Sequence, residues 1–170
     1  APALGYGSPQ RKDCMTKTVA IAADHGGFVL KAQLITHLQA LGRDVIDLGT
    51  DNAETSVDYP DFAAKLSQSI IAGKAVCGIL ICGTGIGMSI SANRWPGVRC
   101  ALVHDITTAR LSREHNDANV LALGGRVIGA AVALDCVTTF LNTEFSGGRH
   151  ARRVKQLGDC PLLEPGQSKP

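Results

Sequence analysis

Residues 76–87 read VCGILICGTGIG. Val76–Cys82 is an unbroken apolar run without alternation, the pattern of a strand covered on both faces. Three glycines in the next five residues end it, and a helix is expected from about Gly87. A buried strand that turns directly into a helix is half of a parallel βαβ unit, and similar units flank it. Val19–Ala23, Val45–Leu48, Val98–Val103 and Val120–Leu123 have the same apolar character. After the first comes a helical stripe of Leu30, Leu34, Leu38 and Leu41, with Lys31, Gln33 and Gln39 off the stripe and Gly42 placed to end it. Gly49–Asp58 reads as a polar loop. Pro60 suits the first turn of a helix carrying Phe62, Leu66 and Ile70. Further helices are expected over about 107–115 and 129–141. Five strands alternating with helices predict an α/β domain, a parallel sheet with helices on both faces.

The 170 residues are 45% hydrophobic, 19% charged and 4% aromatic. That excludes a disordered or fibrous chain and allows one core of small aliphatic residues. The domain is expected over residues 16–158. Residues 1–15 read as an extension or leftover leader ahead of Met15, and 159–170 as a frayed C-terminal tail. The net charge of +2 is too small for a general polyanion binder, so nucleic acid is not an expected partner. No apolar run approaches the ~18 residues a membrane span needs, so no membrane is expected either. The six cysteines show no CxxC or Cys/His metal spacing. Cys77, Cys82 and Cys100 fall in apolar strand-like runs. A reduced, cytoplasmic protein without a metal is the resulting expectation.

In open parallel sheets, ligands bind beyond the carboxyl ends of the strands. Asp24-His25, Cys82-Gly83-Thr84-Gly85, His104-Asp105 and Gly124-Gly125-Arg126 all follow strands, so the chemistry is expected there. The loop Gly83-Thr84-Gly85-Ile86-Gly87 brings backbone N–H groups and a helix start to one point, which suits an anion or oxyanion. It is neither GxGxxG nor a Walker loop, and a plain packing turn is the competing reading. Cys82 closes the strand where helix-end amides favour a thiolate, against the small buried hydrophobe that most unpaired cysteines are. Cys77, Cys100 and Cys136 read as core.

His25 beside Asp24 is either an oriented imidazole or incidental to a turn-stabilising Asp. His115-Asn116-Asp117 ends a helix, where a His also interacts favourably with the dipole. His37 lies on a polar helix face and is expected to be solvated. In Ser146–Arg153, Arg149 and Arg153 converge if a helix runs through Val154, as a phosphate would require; a solvated basic end is the alternative. Arg126 adds a third cation. Together these groups suit proton transfer next to a carbonyl on a phosphorylated small molecule.

Six segments carry a resemblance: Asp24-His25-Gly26-Gly27-Phe28-x-Leu30-Lys31, Ser56-Val57-Asp58-Tyr59-Pro60, CGTGIGMSISAN (82–93), His115-Asn116-Asp117, Gly125-Arg126-Val127 and Gly148-Arg149-His150-x-x-Arg153. In order, over about Thr18 to Leu157, they resemble the type B ribose-5-phosphate isomerases and their sister sugar-phosphate isomerases. The resemblance implies a three-layer αβα Rossmann-like domain and a homodimer, or a tetramer built from it, with active sites shared between subunits. It implies interconversion of D-ribose 5-phosphate and D-ribulose 5-phosphate without a cofactor or metal. By matching position, Cys82 is then the base, moving a proton between C2 and C1 through a cis-enediolate. Thr84 with the amides around Gly83, Gly85 and Gly87 holds the oxyanion, and His115 opens the sugar ring. Asp24, Asp58, Tyr59 and Asn116 hold hydroxyls or assist, and His25, Arg126, Arg149 and Arg153 take the phosphate. A family subgroup places Glu where this chain has Met88, which leaves the Cys route. The alternatives are a sister isomerase for a hexose 6-phosphate of allose or galactose type, or for a tetrose phosphate. A non-catalytic nucleotide-binding module would require the GxGxxG spacing that is missing, with Asp47 as its weak acidic partner.

Overall fold

A computed structural model of the chain describes residues 18–159. The extension expected over residues 1–15 and nearly all of the tail expected from 159 lie outside the described residues. The elements run β1 (Thr18–Ala23), α1 (Phe28–Ala40), β2 (Asp44–Asp47), α2 (Tyr59–Ile71), β3 (Cys77–Cys82), α3 (Ile86–Ala92), β4 (Cys100–Leu102), α4 (Ile106–Asn116), β5 (Val120–Gly124), α5 (Ala130–Asn142) and α6 (Arg149–Gly158). The five strands form one parallel sheet in the order β2-β1-β3-β5-β4.

The strands alternate their faces, and each face has its own core. Val19, Ile21 and Ala23 of β1, with Ile79 and Ile81 of β3, meet Leu30, Leu34 and Leu38 of α1, Ala109 of α4 and Phe140 of α5. Ala20, Ala22, Leu80 and Cys82 point the other way, toward Phe62 and Leu66 of α2 and Met88 and Ala92 of α3. The result is the expected three-layer α/β fold of Rossmann-like type. Every residue of β1 from Val19 onward, of β3 and of β5 is buried, which accounts for their unbroken apolar sequences.

Edges differ from expectation by a residue or more. β4 covers only Cys100–Leu102 of the apolar run 98–103, since as an edge strand it pairs with β5 alone. α3 starts at Ile86 rather than Gly87.

Two polar side chains of α1 are placed differently from expectation. Lys31, off the leucine stripe, is 2% exposed; its ammonium crosses the sheet edge to Asp47 at 2.6 and 2.7 Å. Its long aliphatic stem packs inward while its charge finds a carboxylate at the end of β2. His37 is not simply solvated: its Nε2 lies 2.7 Å from Thr138 Oγ1 of α5, a link across the helical layer.

Strand order reverses between β1 and β3, because the chain leaves β1 for one edge and β3 for the other. Such a switch point opens a crevice above the strand ends. Asp24, His25 and the loop after Cys82 stand there.

Candidate active site

The crevice is built from three strand exits tied together by backbone bonds. Asp24 N–H donates to Ile81 O, Gly125 N–H to Cys82 O and Arg126 N–H to Gly83 O. The turn after β1 is closed by the Asp24 carboxylate, whose Oδ1 accepts the Gly27 N–H at 3.1 Å. Asp24 is therefore a buried turn-stabilising group. A Cβ on Gly26 would lie 3.3 Å from both Asp24 Oδ1 and the Gly83 N, so the carboxylate and the first amide of the loop meet around that glycine. His25 is held by its ring: Nδ1 accepts the Val57 N–H at 3.3 Å. That bond fixes a tautomer in which Nε2 carries the proton in the neutral ring.

Cys82 is the last residue of β3 and 5% exposed. The Gly85 N–H donates to its Sγ at 3.1 Å. Gly85 has φ 80, a left-handed conformation that a side chain would resist, and a Cβ there would come 2.6 Å from Leu102 Cδ1. The resemblance implies an oxyanion role for the amides of this loop, and the sequence reading has helix-end amides meeting the thiol; in this structure the Gly85 amide points at the sulfur. Thr84 is exposed at the tip of the loop, its Oγ1 accepting the Ile86 N–H at 3.3 Å. Gly87 is needed for a different reason: a Cβ there would fall 2.6 Å from the Tyr59 ring, which lies over the start of α3. Asp58 precedes α2, and both it and Tyr59 are exposed on the rim. The Arg126 side chain passes over Gly83, 3.5 Å from where its Cβ would be. One strand-end crevice thus gathers Asp24, His25, Cys82, Gly83, Thr84, Gly85, Gly87, Tyr59 and Arg126.

His115, Asn116, Arg149 and Arg153, which were not among the strand-end clusters, stand apart from it. α4 starts above the sheet at Asp105, whose carboxylate caps it by accepting the Thr108 N–H at 2.8 Å. It then runs antiparallel to the strands for 11 residues, about 16 Å at the usual rise, to the opposite edge. His115 and Asn116 end the helix there, below the start of β5. α6 begins beside them, since Ser146 N–H donates to Glu114 O and the rings of His115 and His150 stack at 4.2 Å and 7°. Arg149 and Arg153 are exposed on α6, one helical turn apart. The described chain thus carries two groups of candidate residues at opposite ends of the strands of one sheet.

His150 is a site neighbour that sequence reasoning passed over. Desolvation, then the charges of His115, Arg149 and Arg153, hold its imidazole below the ordinary value of 6.5. Adjacency to Arg149 was visible in the sequence; the stack was not. Among the described residues, Cys77 and Cys136 are buried as core and Cys100 is half-buried at the sheet edge; burial pushes the Cys100 thiol to about 12 and the Cys136 thiol to about 11. Among the described residues no group of three His, Cys, Asp or Glu side chains is arranged to hold a metal ion, and no helix is long and apolar enough to cross a membrane.

Residues 19–157 match the family described as Ribose/Galactose Isomerase. The chain is 43% identical over 141 residues to the ribose-5-phosphate isomerase B of Escherichia coli, covering 83% of this chain and 94% of that one. Among solved structures it is similar to a ribose 5-phosphate isomerase from Thermotoga maritima, at 51% identity and a TM-score of 0.83, over 85% of this chain and 99% of that chain. It is likewise similar to the ribose-5-phosphate isomerase B of Clostridium thermocellum, at 51% identity and a TM-score of 0.82, over 84% and 95%.

Proposed function

We propose, from the premise that this chain belongs to the ribose/galactose isomerase family, that it interconverts D-ribose 5-phosphate and D-ribulose 5-phosphate. As a member of that family it is a sugar-phosphate isomerase acting on a phosphorylated sugar. The observation that carries the mechanism is the Gly85 N–H on the Cys82 sulfur at the switch point of the sheet. In the open-chain aldose, the Cys82 thiolate removes the C2 proton, and the electron pair moves into a cis-enediolate. The thiol then returns a proton to C1, giving the ketose. An amide dipole on the sulfur stabilises its charged form, and Thr84 with the Gly83 and Gly87 amides supports the enediolate oxygen. Arg126 as a cation and His25 as a donor through Nε2 serve the phosphate on the same crevice. Asp58 and Tyr59 stand on the rim for hydroxyls, and the carboxylate of Asp24 assists from beneath.

His115 as the ring-opening group, Asn116 as a hydroxyl ligand, and Arg149 and Arg153 as phosphate ligands belong to the other half-site. A second copy of the chain brings the halves together. Ile86 and Ile90 of α3, Ile106 and Val127 are each more than half exposed, apolar side chains of the kind such a partner covers.

The reaction is tested by NMR of D-ribose 5-phosphate with the protein in D2O. Ketose carrying solvent deuterium on carbon supports the reading; conversion of only a hexose or tetrose phosphate moves the substrate to the sister enzymes; no turnover of any overturns it. Sharing is tested by mixing two inactive variants, Cys82→Ala and His115→Ala. In a mixed dimer one site collects both lesions and the other none, so a random mixture regains about one quarter of the wild-type rate. No recovery on subunit exchange places each site within one chain.

A further inference from the structure

Asp117 is a carboxylate that the proposed chemistry leaves unused. It lies immediately after His115 and Asn116 and is 2% exposed. It ends α4 in the left-handed conformation, φ 48, which a non-glycine residue adopts at a cost and Asn or Asp tolerates best. Its Oδ1 meets Arg113 Nη1 at 3.2 Å and its Oδ2 meets Arg99 Nη2 at 3.0 Å. Arg99 also donates from Nε to the Asp117 carbonyl at 2.8 Å. These bonds join three pieces of chain. Arg99 precedes β4, and Arg113 lies one turn back on α4. Arg113 also reaches the Thr143 carbonyl at 3.2 Å, at the start of the segment that leads into α6.

From this arrangement we infer that Asp117 is the positioning residue of the second half-site, setting the exit direction of His115 and Asn116 and, through Arg113, the placement of Arg149 and Arg153 against them. It touches no substrate. Two guanidiniums on the two oxygens of one buried carboxylate leave it a single orientation. The backbone that it holds is the one on which the two preceding side chains hang. The inference rests on the reading of His115 as the ring-opening group.

The discriminating measurement compares two substrates at saturation. D-Ribose 5-phosphate is mostly a closed ring and needs opening. D-Ribulose 5-phosphate has its C5 oxygen esterified, stays open-chain, and exchanges its C1 hydrogen with D2O at the Cys82 crevice with no ring-opening step. Asp117→Asn keeps the size and the left-handed tolerance but removes the charge. It is expected to lower kcat on the closed aldose at least tenfold while exchange into the ketose stays within threefold of wild type. His115→Ala is the reference and is expected to show the same split. Arg113→Gln breaks the same contact from the other side and reproduces a smaller split, which keeps the test open if Asp117→Asn folds poorly. Equal losses on both substrates, or no loss, in Asp117→Asn while His115→Ala shows the split would overturn the positioning role alone. Absence of the split in His115→Ala would overturn the reading of His115 itself, and with it this inference.

Discussion

The Gly85 N–H points at the Cys82 sulfur, 3.1 Å away, because Gly85 takes a backbone conformation with φ 80. That single bond links the loop to the proposed base. Cys82→Ala leaves a small void in a well-packed strand end and costs about 1 kcal/mol of stability. Its kcat falls by about 10²–10⁴, the usual effect of losing a positioned base. Thermal melting beside the deuterium-exchange assay checks both numbers; a rate within tenfold of wild type would remove Cys82 from the base role.

Gly85→Ala tests the amide. A methyl group there meets Leu102 Cδ1 at 2.6 Å and the Leu123 backbone at 2.9 Å, in a conformation that side chains resist. The strain is about 2 kcal/mol, and the loop has to shift to relieve it. Activity is expected to fall further than Tm accounts for, since the shift takes the N–H off the sulfur. Turnover per folded molecule equal to wild type shows that the amide is not needed.

Arg153→Ala removes an exposed guanidinium of α6 and is expected to raise KM for the sugar phosphate about tenfold while changing kcat less than about threefold, as loss of a charged phosphate contact does. Initial-rate kinetics decide it. An unchanged KM returns Arg153 to the solvated surface.

The Lys31–Asp47 pair predicts an asymmetry. The Lys31 side chain is 3% exposed and that of Asp47 45%. Asp47→Ala strands the buried ammonium and costs about 2 kcal/mol, the lower end for a broken buried pair because Asp47 is half in water. Lys31→Met removes the charge together with its need for a partner and stays within about 1 kcal/mol of wild type. Urea denaturation of the two variants measures the difference, and equal losses contradict it.

His150 supplies a pH dependence. Its folded-state imidazole is held below 6.5, so the unfolded chain binds the proton more readily. The contribution to stability is present above about pH 6.5 and is lost as pH falls below it. His150→Gln is expected to flatten the acid limb of a Tm-against-pH profile relative to wild type. Superimposable profiles would mean that the His115 stack is indifferent to charge.

Much of this could be read from the chain alone. Three strands are unbroken apolar runs because both faces of β1, β3 and β5 are buried, and burial on both sides writes itself directly into residue type. Glycines 83, 85 and 87 announced a tight strand-to-helix loop, and the structure adds that the Tyr59 ring lies where a Cβ of Gly87 would be. Lys31 was misplaced because a periodicity argument sorts residues by polarity, whereas a lysine stem can be buried while its charge is satisfied by a carboxylate 16 positions away. β4 was overextended because an apolar run marks burial and not pairing.

Local sequence therefore determined the α/β class, the strand-end loop with Cys82 and the list of chemically able side chains. Each depends on residue type and short spacing, which the chain carries explicitly. Tertiary structure alone decided how that list is divided. Strand order placed the switch point between β1 and β3, and the antiparallel run of α4 carried His115 and Asn116 a full sheet length from Cys82. Asp117 acquired two guanidinium partners, one of them 18 residues away in sequence, only when the chain entering β4 and the chain leaving α4 came together. Such relations depend on which elements become neighbours, and long-range adjacency is fixed by the packing of whole faces rather than by any local motif.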